Sequence, residues 1–474
     1  MNMLVGLVRS KVMALLLGPG GVGLMGALTS IVDVARTLAE LGINSSGVRQ
    51  VAESVTTGDK ARVARTVTVL QRVALVLGVL GGGVLAAFAF PIASMTFGDH
   101  RWAWAVAVLG IAVCFRLVSD AEGALLQGMR RIGDIARASV YGAVLGTTLT
   151  VVLVFWLQED GVAWAIVSGA AVSFLVLWYY SRQVWIERVP VPRHEFLGET
   201  RDLLQLGLAF MASALLTVGA SYLVRIILIR TCGLEGAGLY QAAWAIGGVY
   251  VNFVLQAMGT DFYPRLVGVA TDNVECNRLV NEQAMVSLLL SGFGVAATLT
   301  LAPWVLTVLY SGKFTAATET LRWVCLGMAL RVVTWPLGYI LVAKGRRTLF
   351  VSADLIWTVL NVALTWLCVQ RFGLRGAGVA FFASYVVHAL VVYPMCRRVS
   401  GFRWTPASAK AAFAFVASIG AVQCGFLLMQ PAPALFLGLV VSLLSVVASV
   451  VALRRLVAPQ RVPRKLGWLL GRRE

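Results

Sequence analysis

Eight cationic side chains fall inside or beside long apolar stretches of this sequence: Arg9, Lys11, Arg36, Arg72, Arg116, Arg225, Arg322 and Arg331. A charge in hydrocarbon costs about 2.5–3.5 kcal/mol on insertion scales, so each needs a reason to be there. Thr29, Asp33, Arg36 and Glu40 follow one another at spacings of four, three and four, which puts them on one helical stripe. That stripe is either an internally neutralised ladder or a substrate contact, and its acids are candidates for coupling transport to an ion. Arg116 and Asp120, also four apart, allow the same two readings. Arg225, in GASYLVRIILIR, has no acid on its segment, and Arg331, in GMALRVVTWP, is twelve residues from Glu319. Each therefore takes an anionic partner either from another helix or from a ligand, and the planar arginine fork suits phosphate because it donates two parallel hydrogen bonds. Arg322 and Arg331 lie nine residues apart, about 900° of helical rotation, so only one of them can face a given cavity. Mid-depth favours Arg331, whereas Arg72 and Arg322, near segment ends, are expected to snorkel to the interface. His388 reads as a packed, hydrogen-bonded side chain, and Asp354 and Asn361, seven apart, share one helical face.

The elements that position these groups follow from composition. Of 474 residues, 59% are hydrophobic and only 13% charged, with 40 Lys and Arg against 22 Asp and Glu. A soluble domain is nearer one quarter charged, and the mean hydropathy of +0.83 excludes a water-soluble enzyme, a disordered chain and a nucleic-acid binder. The seven cysteines are dispersed, mostly within apolar runs, and form no CxxC pair; they read as small buried hydrophobes. No catalytic centre, metal site or cofactor is expected, and no signal-peptide cleavage site follows the first apolar run.

An apolar stretch of about 18–25 residues can cross a bilayer as a helix. Fourteen such spans are predicted, near 1–17, 23–41, 66–97, 102–126, 134–157, 161–181, 203–229, 236–260, 283–310, 316–343, 348–369, 376–396, 408–429 and 433–453. The fold class is therefore an all-α polytopic membrane protein. The first span is short and carries Arg9 and Lys11, so either it lines a protected polar space or the true start lies upstream. With the N-terminus cytoplasmic, the inner loops and tail hold 27 of the 40 cations and the outer loops five: Arg101, Arg230, Lys313, Arg371 and Arg375. Positive residues favour the cytoplasmic side, which predicts both termini inside. The outer loops are short, the longest being SGKFTAATE, which leaves no room for an outer catalytic domain and favours a carrier.

Self-comparison reveals a repeat. Gly21 and Gly236, Gly123 and Gly338, Arg131 and Arg346, and Gly161 and Gly376 are each separated by 215 residues. The shift is six spans, so the copies have the same orientation, an arrangement known in transporters that handle substrate where the lobes meet. Residues 1–185 form the first six-helix lobe, 186–202 a cytoplasmic linker around PVPR, 203–398 the second lobe, and 399–474 two further helices and a basic tail. Pro91, Pro264, Pro303 and Pro336 are placed to kink or break helices.

With these features in view, the sequence resembles the polysaccharide-exporter, O-antigen (Wzx-type) flippase branch of the multidrug/oligosaccharidyl-lipid/polysaccharide flippase superfamily. The resemblance rests on LLLGPGGVGLMG, LAELGINSSGVRQVAE, TCGLEGAGLYQAAW, FYPRL, VLYSGKF, LVAKGRR and RFGLRGAGVAFFASY, which together span most of the first 400 residues. It implies a cationic cavity that moves an undecaprenyl-diphosphate-linked oligosaccharide across the bacterial cytoplasmic membrane by alternating access. Arg225, Arg331, Arg36, Arg116, Arg9 and Lys11 would bind substrate, and Asp33, Glu40 and Asp120 are candidates for ion coupling. Its partners would be the lipid-linked oligosaccharide, membrane lipids and other polysaccharide-assembly proteins, with no nucleic acid. Members of the branch usually have a longer segment before the LGPGGVG motif, and the acid that often precedes the arginine of the seventh span is here Val224. The competing expectations are a peptidoglycan-precursor flippase of the same superfamily, a cation-coupled drug antiporter and a membrane glycosyl polymerase.

Overall fold

A computed structural model of the chain describes residues 2–56, 60–184 and 193–456. Residues 186–192 of the expected linker and the tail beyond residue 456 lie outside the described residues, and residues 193–202 already belong to a helix. The described residues form helices in the order α1 (Asn2–Glu40), α2 (Ile43–Thr56), α3 (Lys60–Ala87), α4 (Ala89–Phe97), α5 (Ala103–Gly128), α6 (Ile132–Leu157), α7 (Gly161–Ser181) and α8 (Arg193–Gly268). They continue with α9 (Asn273–Thr300), α10 (Ala302–Leu309), α11 (Thr318–Ala343), α12 (Arg347–Phe372), α13 (Leu374–Ser400), α14 (Pro406–Leu428) and α15 (Pro431–Leu456). Helices dominate because hydrocarbon offers no partner for backbone N–H and C=O groups, and a helix satisfies them internally.

Eleven stretches among the described residues are long and apolar enough to cross a membrane. Three of them, Val5–Glu40, Ile132–Ser181 and Ala214–Gly268, each hold two spans, broken by left-handed backbone at Gly18, Gln158 and Gly233. Separated at those breaks, they yield the fourteen expected spans. The protein is a multi-pass membrane protein. Helix α2 had no counterpart among the expected spans because it is amphipathic rather than apolar. It buries Ile43, Gly47, Val51 and Ser54 along one face, with Val51 packed among Val63, Val67 and Leu125.

The repeat is more regular in the backbone than in the sequence. Gly18 (φ 67°) and Gly233 (φ 73°), Arg130 (φ 57°) and Gly345 (φ 69°), and Gln158 (φ 51°) and Gly373 (φ 57°) are all separated by 215 residues. Helices α5 and α11, and α6 and α12, begin and end at equivalent positions and have 26 residues each. Their junctions use the same bonds: Arg131 N–H donates to Leu126 C=O, and Arg346 N–H to Leu341 C=O, each at 2.9 Å. This six-to-one bond closes a helix through a left-handed residue, and the motif tolerates Arg130 where the second copy has glycine.

By its contacts the chain divides into two compact units, 1–241 with 309–313 and 242–308 with 314 onward. In the first, α5 is central. Its Val106, Leu109, Ala112 and Val113 are buried with Leu24, Leu28 and Val32 of α1 and Val162 and Ile166 of α7. The second unit is organised around α11, whose Leu337, Ile340 and Leu341 pack with Leu279 and Val280 of α9 and Val392 and Cys396 of α13.

One contact within the first unit is set by the repeat itself. After the breaks at Gly18 and Gly233, the two restarting helices cross at equivalent residues. A Cβ at Gly23 would collide with the Leu234 carbonyl and the Gly238 nitrogen, and one at Gly238 with the Pro19 carbonyl and the Gly23 nitrogen. Pro19 and Leu234 are themselves 215 apart, so the crossing is reciprocal, as at a two-fold interface. Only glycine allows two backbones this close.

Candidate functional site

The first unit encloses a cavity of about 620 Å³. Arg9, Thr29 and Arg116 reach it from α1 and α5, and its far wall is made of small residues of α6 and α7, among them Ser139, Gly142, Ala170 and Ser173. Absent side-chain volume on that wall, rather than any helix break, creates the space.

At this cavity, which Arg116 and Asp120 both line, charges pair across helices. Arg36 donates to Asp120 at 2.5 Å and lies 3.4 Å from Glu40, while Arg116 lies 3.6 Å from Asp33. The within-helix Arg116–Asp120 pair suggested by spacing is replaced by this exchange, because α1 and α5 pack side by side and the cross-helix oxygens are nearer. Asp33, Glu40 and Asp120, the candidates for ion coupling, thus each stand against an arginine. Arg9 opens onto the cavity with Arg116 as its charged neighbour. Lys11, half-buried, is not among the residues lining it.

Both Arg36 and Asp120 keep 28% side-chain exposure, so their pair sits between the surface and buried extremes. Asp120→Asn is expected to cost about 1–3 kcal/mol, because it leaves Arg36 partly uncompensated. The double variant Arg36→Met with Asp120→Met should recover only part of that loss, because it leaves Glu40 without its arginine. Thermal unfolding in detergent reads both, and a wild-type unfolding temperature for Asp120→Asn would mark the pair as incidental.

The two arginines without an acid on their own segment differ in their surroundings. Arg225 is held in the first unit by a hydrogen bond to Gln241, with Asp33 within electrostatic reach. Its guanidinium presses against Gly26, where a Cβ would lie 2.6 Å from Nη1. Gly26 and Gln241 are equivalent positions of the repeat, one supplying space and the other the acceptor. In the second unit, half-buried Arg331 lies 4.0 Å from the sulfur of Met328 and forms no ion pair among the described residues. Arg331 is also the repeat equivalent of Arg116, a correspondence that the four glycine and arginine matches leave unmentioned.

Arg322 does not snorkel. It is only 9% exposed, donates weakly to the Leu299 carbonyl at 3.5 Å and stacks 3.5 Å from the Phe426 ring centroid. Glu319 turns to Arg375 at 3.6 Å. Spacing also gives no sign of a buried pair in which Gln71 donates to both oxygens of Glu122, at 3.0 and 3.1 Å. No group of three or more metal-type ligands converges among the described residues. The arrangement is suited to binding an anionic solute.

Comparison with known proteins bears on the fold and the family. Two curated relatives, each named lipid III flippase, from Escherichia coli (strain K12) and Shigella flexneri, are 24% identical over 395 residues, covering 81% of this chain and 92% of theirs. Among solved structures, an inward-closed lipid II flippase MurJ superposes with TM-score 0.68 at 12% identity, covering 96% of this chain and 97% of that one. An inward-facing multidrug MATE transporter of the MOP superfamily gives 0.67 at 18% identity, over 85% of this chain and 95% of that one. The fold is thus that of the MOP transporters, whose members matched here are flippases and transporters rather than enzymes. The profile of the family described as "Polysaccharide biosynthesis protein" matches residues 1–269, more than half of the sequence, and the chain belongs to that family.

Proposed function

We propose that this protein is a flippase that carries a polyprenyl-diphosphate-linked oligosaccharide, the repeat unit of an O-antigen or exopolysaccharide, across the bacterial cytoplasmic membrane. The observation that carries this reading is Arg331, a cation midway along a membrane helix with no acid to pair it. Arg9, at the cavity of the first unit, adds a second guanidinium without a carboxylate bond. A diphosphate would satisfy either guanidinium, since an arginine fork can grip two of its oxygens. Arg225, Arg36, Arg116 and Lys11, all in the first unit, would be further substrate contacts there, Arg36 and Arg116 being shared with Asp120, Glu40 and Asp33. The lobes, 1–185 and 203–398, would alternate in exposing the bound head group, with both termini cytoplasmic as the distribution of loop cations favours.

The test is transfer in liposomes. A fluorescent lipid-linked oligosaccharide placed in one leaflet should become accessible to a membrane-impermeant glycosidase on the other side only in vesicles containing the protein. Equal rates in protein-free vesicles would reject the reading. The lipid III named for the two curated relatives favours a second choice of cargo within the same class. Rescue of a strain lacking its lipid III flippase selects that cargo, whereas rescue of a lipid II flippase depletion strain selects the peptidoglycan precursor.

A further inference from the structure

The residues that line the cavity of the first unit have counterparts in the second that are chemically different. Because α6 and α12 match residue for residue, as do the breaks that precede α7 and α13, the small wall residues have exact partners 215 positions on. Ser139, Gly142, Ala170 and Ser173 become Asp354, Trp357, Tyr385 and His388. Where the first lobe leaves room, the second presents an aromatic and polar cluster beneath Arg331, the partner of Arg116.

The cluster is connected. Tyr385, 8% exposed, has its ring 5.4 Å from Trp357 and 5.7 Å from His388, and it is backed by Phe381 at 5.0 Å. Arg331 and Asp354 are both within electrostatic reach of Tyr385, yet they form no ion pair with each other. Trp357 Nε1 and His388 Nδ1 are buried without a hydrogen-bond partner. Buried polar atoms are normally satisfied, so two orphans beside two unpaired opposite charges describe a site awaiting a ligand.

The ligand must meet four demands at once. A bare phosphate fits Arg331 but is repelled by Asp354, and a cation has the reverse difficulty. A neutral ring rich in hydroxyls and bonded to a phosphate meets both: the phosphate lies on Arg331, and the hydroxyls donate to Asp354 and accept from the indole N–H. A hydroxyl also suits His388 Nδ1 in either tautomer, because it both donates and accepts. The C–H face of such a ring lies naturally on Trp357 or Tyr385, whose flat apolar surfaces carry a polar edge.

We infer that Arg331, Asp354, Trp357, Tyr385 and His388 form a glycosyl-phosphate site that reads the sugar attached directly to the diphosphate. This assignment rests on the flippase reading and adds to it the part of the cargo that is recognised.

The experiment measures binding of short-chain probes to the full-length protein in detergent. Citronellyl diphosphate is compared with citronellyl diphosphates bearing glucose, galactose or N-acetylglucosamine. The best sugar probe should bind the wild type about ten-fold more tightly than citronellyl diphosphate, the increment of one good polar recognition. Trp357→Phe and Asp354→Asn should each erase most of that increment; citronellyl diphosphate binding should stay measurable in the first and tighten in the second, where the repelling carboxylate is gone, which also shows that the variants are folded. Arg331→Ala should weaken every probe. Measurable but equal affinity of the wild type for all four probes, or retention of the increment in both variants, overturns the sugar site and leaves the flippase reading standing. Failure of the wild type to bind any probe overturns that reading and the site with it.

Discussion

Arg331→Ala is expected to lower translocation by about a hundred-fold or more, because truncating a desolvated charged contact costs about 2–5 kcal/mol and each 1.4 kcal/mol is ten-fold. The same substitution should leave the unfolding temperature at or above that of the wild type. Arg331 makes no ion pair, so removing it relieves a desolvation cost without orphaning a carboxylate. This combination of lost transport and retained stability separates a ligand-binding arginine from a structural one. Arg225→Ala should instead impair both, since it strips Gln241 of its donor and opens space against Gly26. Arg331→Lys should recover only part of the transport, because an ammonium cannot reproduce the two parallel hydrogen bonds of a guanidinium. Liposome transfer rates together with thermal unfolding check all three. Wild-type transport by both alanine variants would remove the diphosphate clamp from the mechanism.

Gly238→Val is the second substitution with a large expected effect. The added Cβ would overlap the Pro19 carbonyl and crowd the Gly23 nitrogen, both backbone atoms that cannot rotate away. The helices α1 and α8 must then separate, at an overpacking cost of about 1–3 kcal/mol or more. Transport should fall with stability, because the displaced segment also carries Arg225 and Gln241. Gly23→Val, its repeat partner, should behave alike. Gly83→Ala is the control, since nothing lies within 4 Å of a Cβ built there, and alanine in a helix is better than glycine by about 0.5–1 kcal/mol. Wild-type unfolding and transport by Gly238→Val would show that this crossing is not held during function.

Much of the architecture is legible in the sequence because a bilayer imposes it. A helix must present some twenty apolar residues, and the spans and their punctuation can be read without knowing what packs on what. The repeat is legible through Gly21 and Gly236, but its strongest marks are hidden. Arg130 and Gln158 take the left-handed conformation of Gly345 and Gly373 without being glycine, so only the backbone reveals them. Helix α2 is hidden for the opposite reason, since its few apolar residues matter only once α3 and α5 are in place to cover them.

The candidate site divides along the same line. The sequence identifies Arg9, Arg36, Arg116, Arg225 and Arg331 as charges that require an explanation, because the cost of a charge in hydrocarbon belongs to the residue and its depth. It leaves their partners open, since a helix fixes neighbours only three and four residues apart. Packing of α1 against α5 pairs Arg36 with Asp120 and Arg116 with Asp33 across 84 and 83 residues of chain. Within α8, beyond its break at Gly233, Gln241 accepts from Arg225, whereas Arg331 has no carboxylate partner among the described residues. What the sequence determined by itself was which residues carry charge into the membrane and along which spans, both local properties. The tertiary structure decided which charges are neutralised and which remain to meet an anion, because pairing depends on distances between helices that no spacing along one chain encodes.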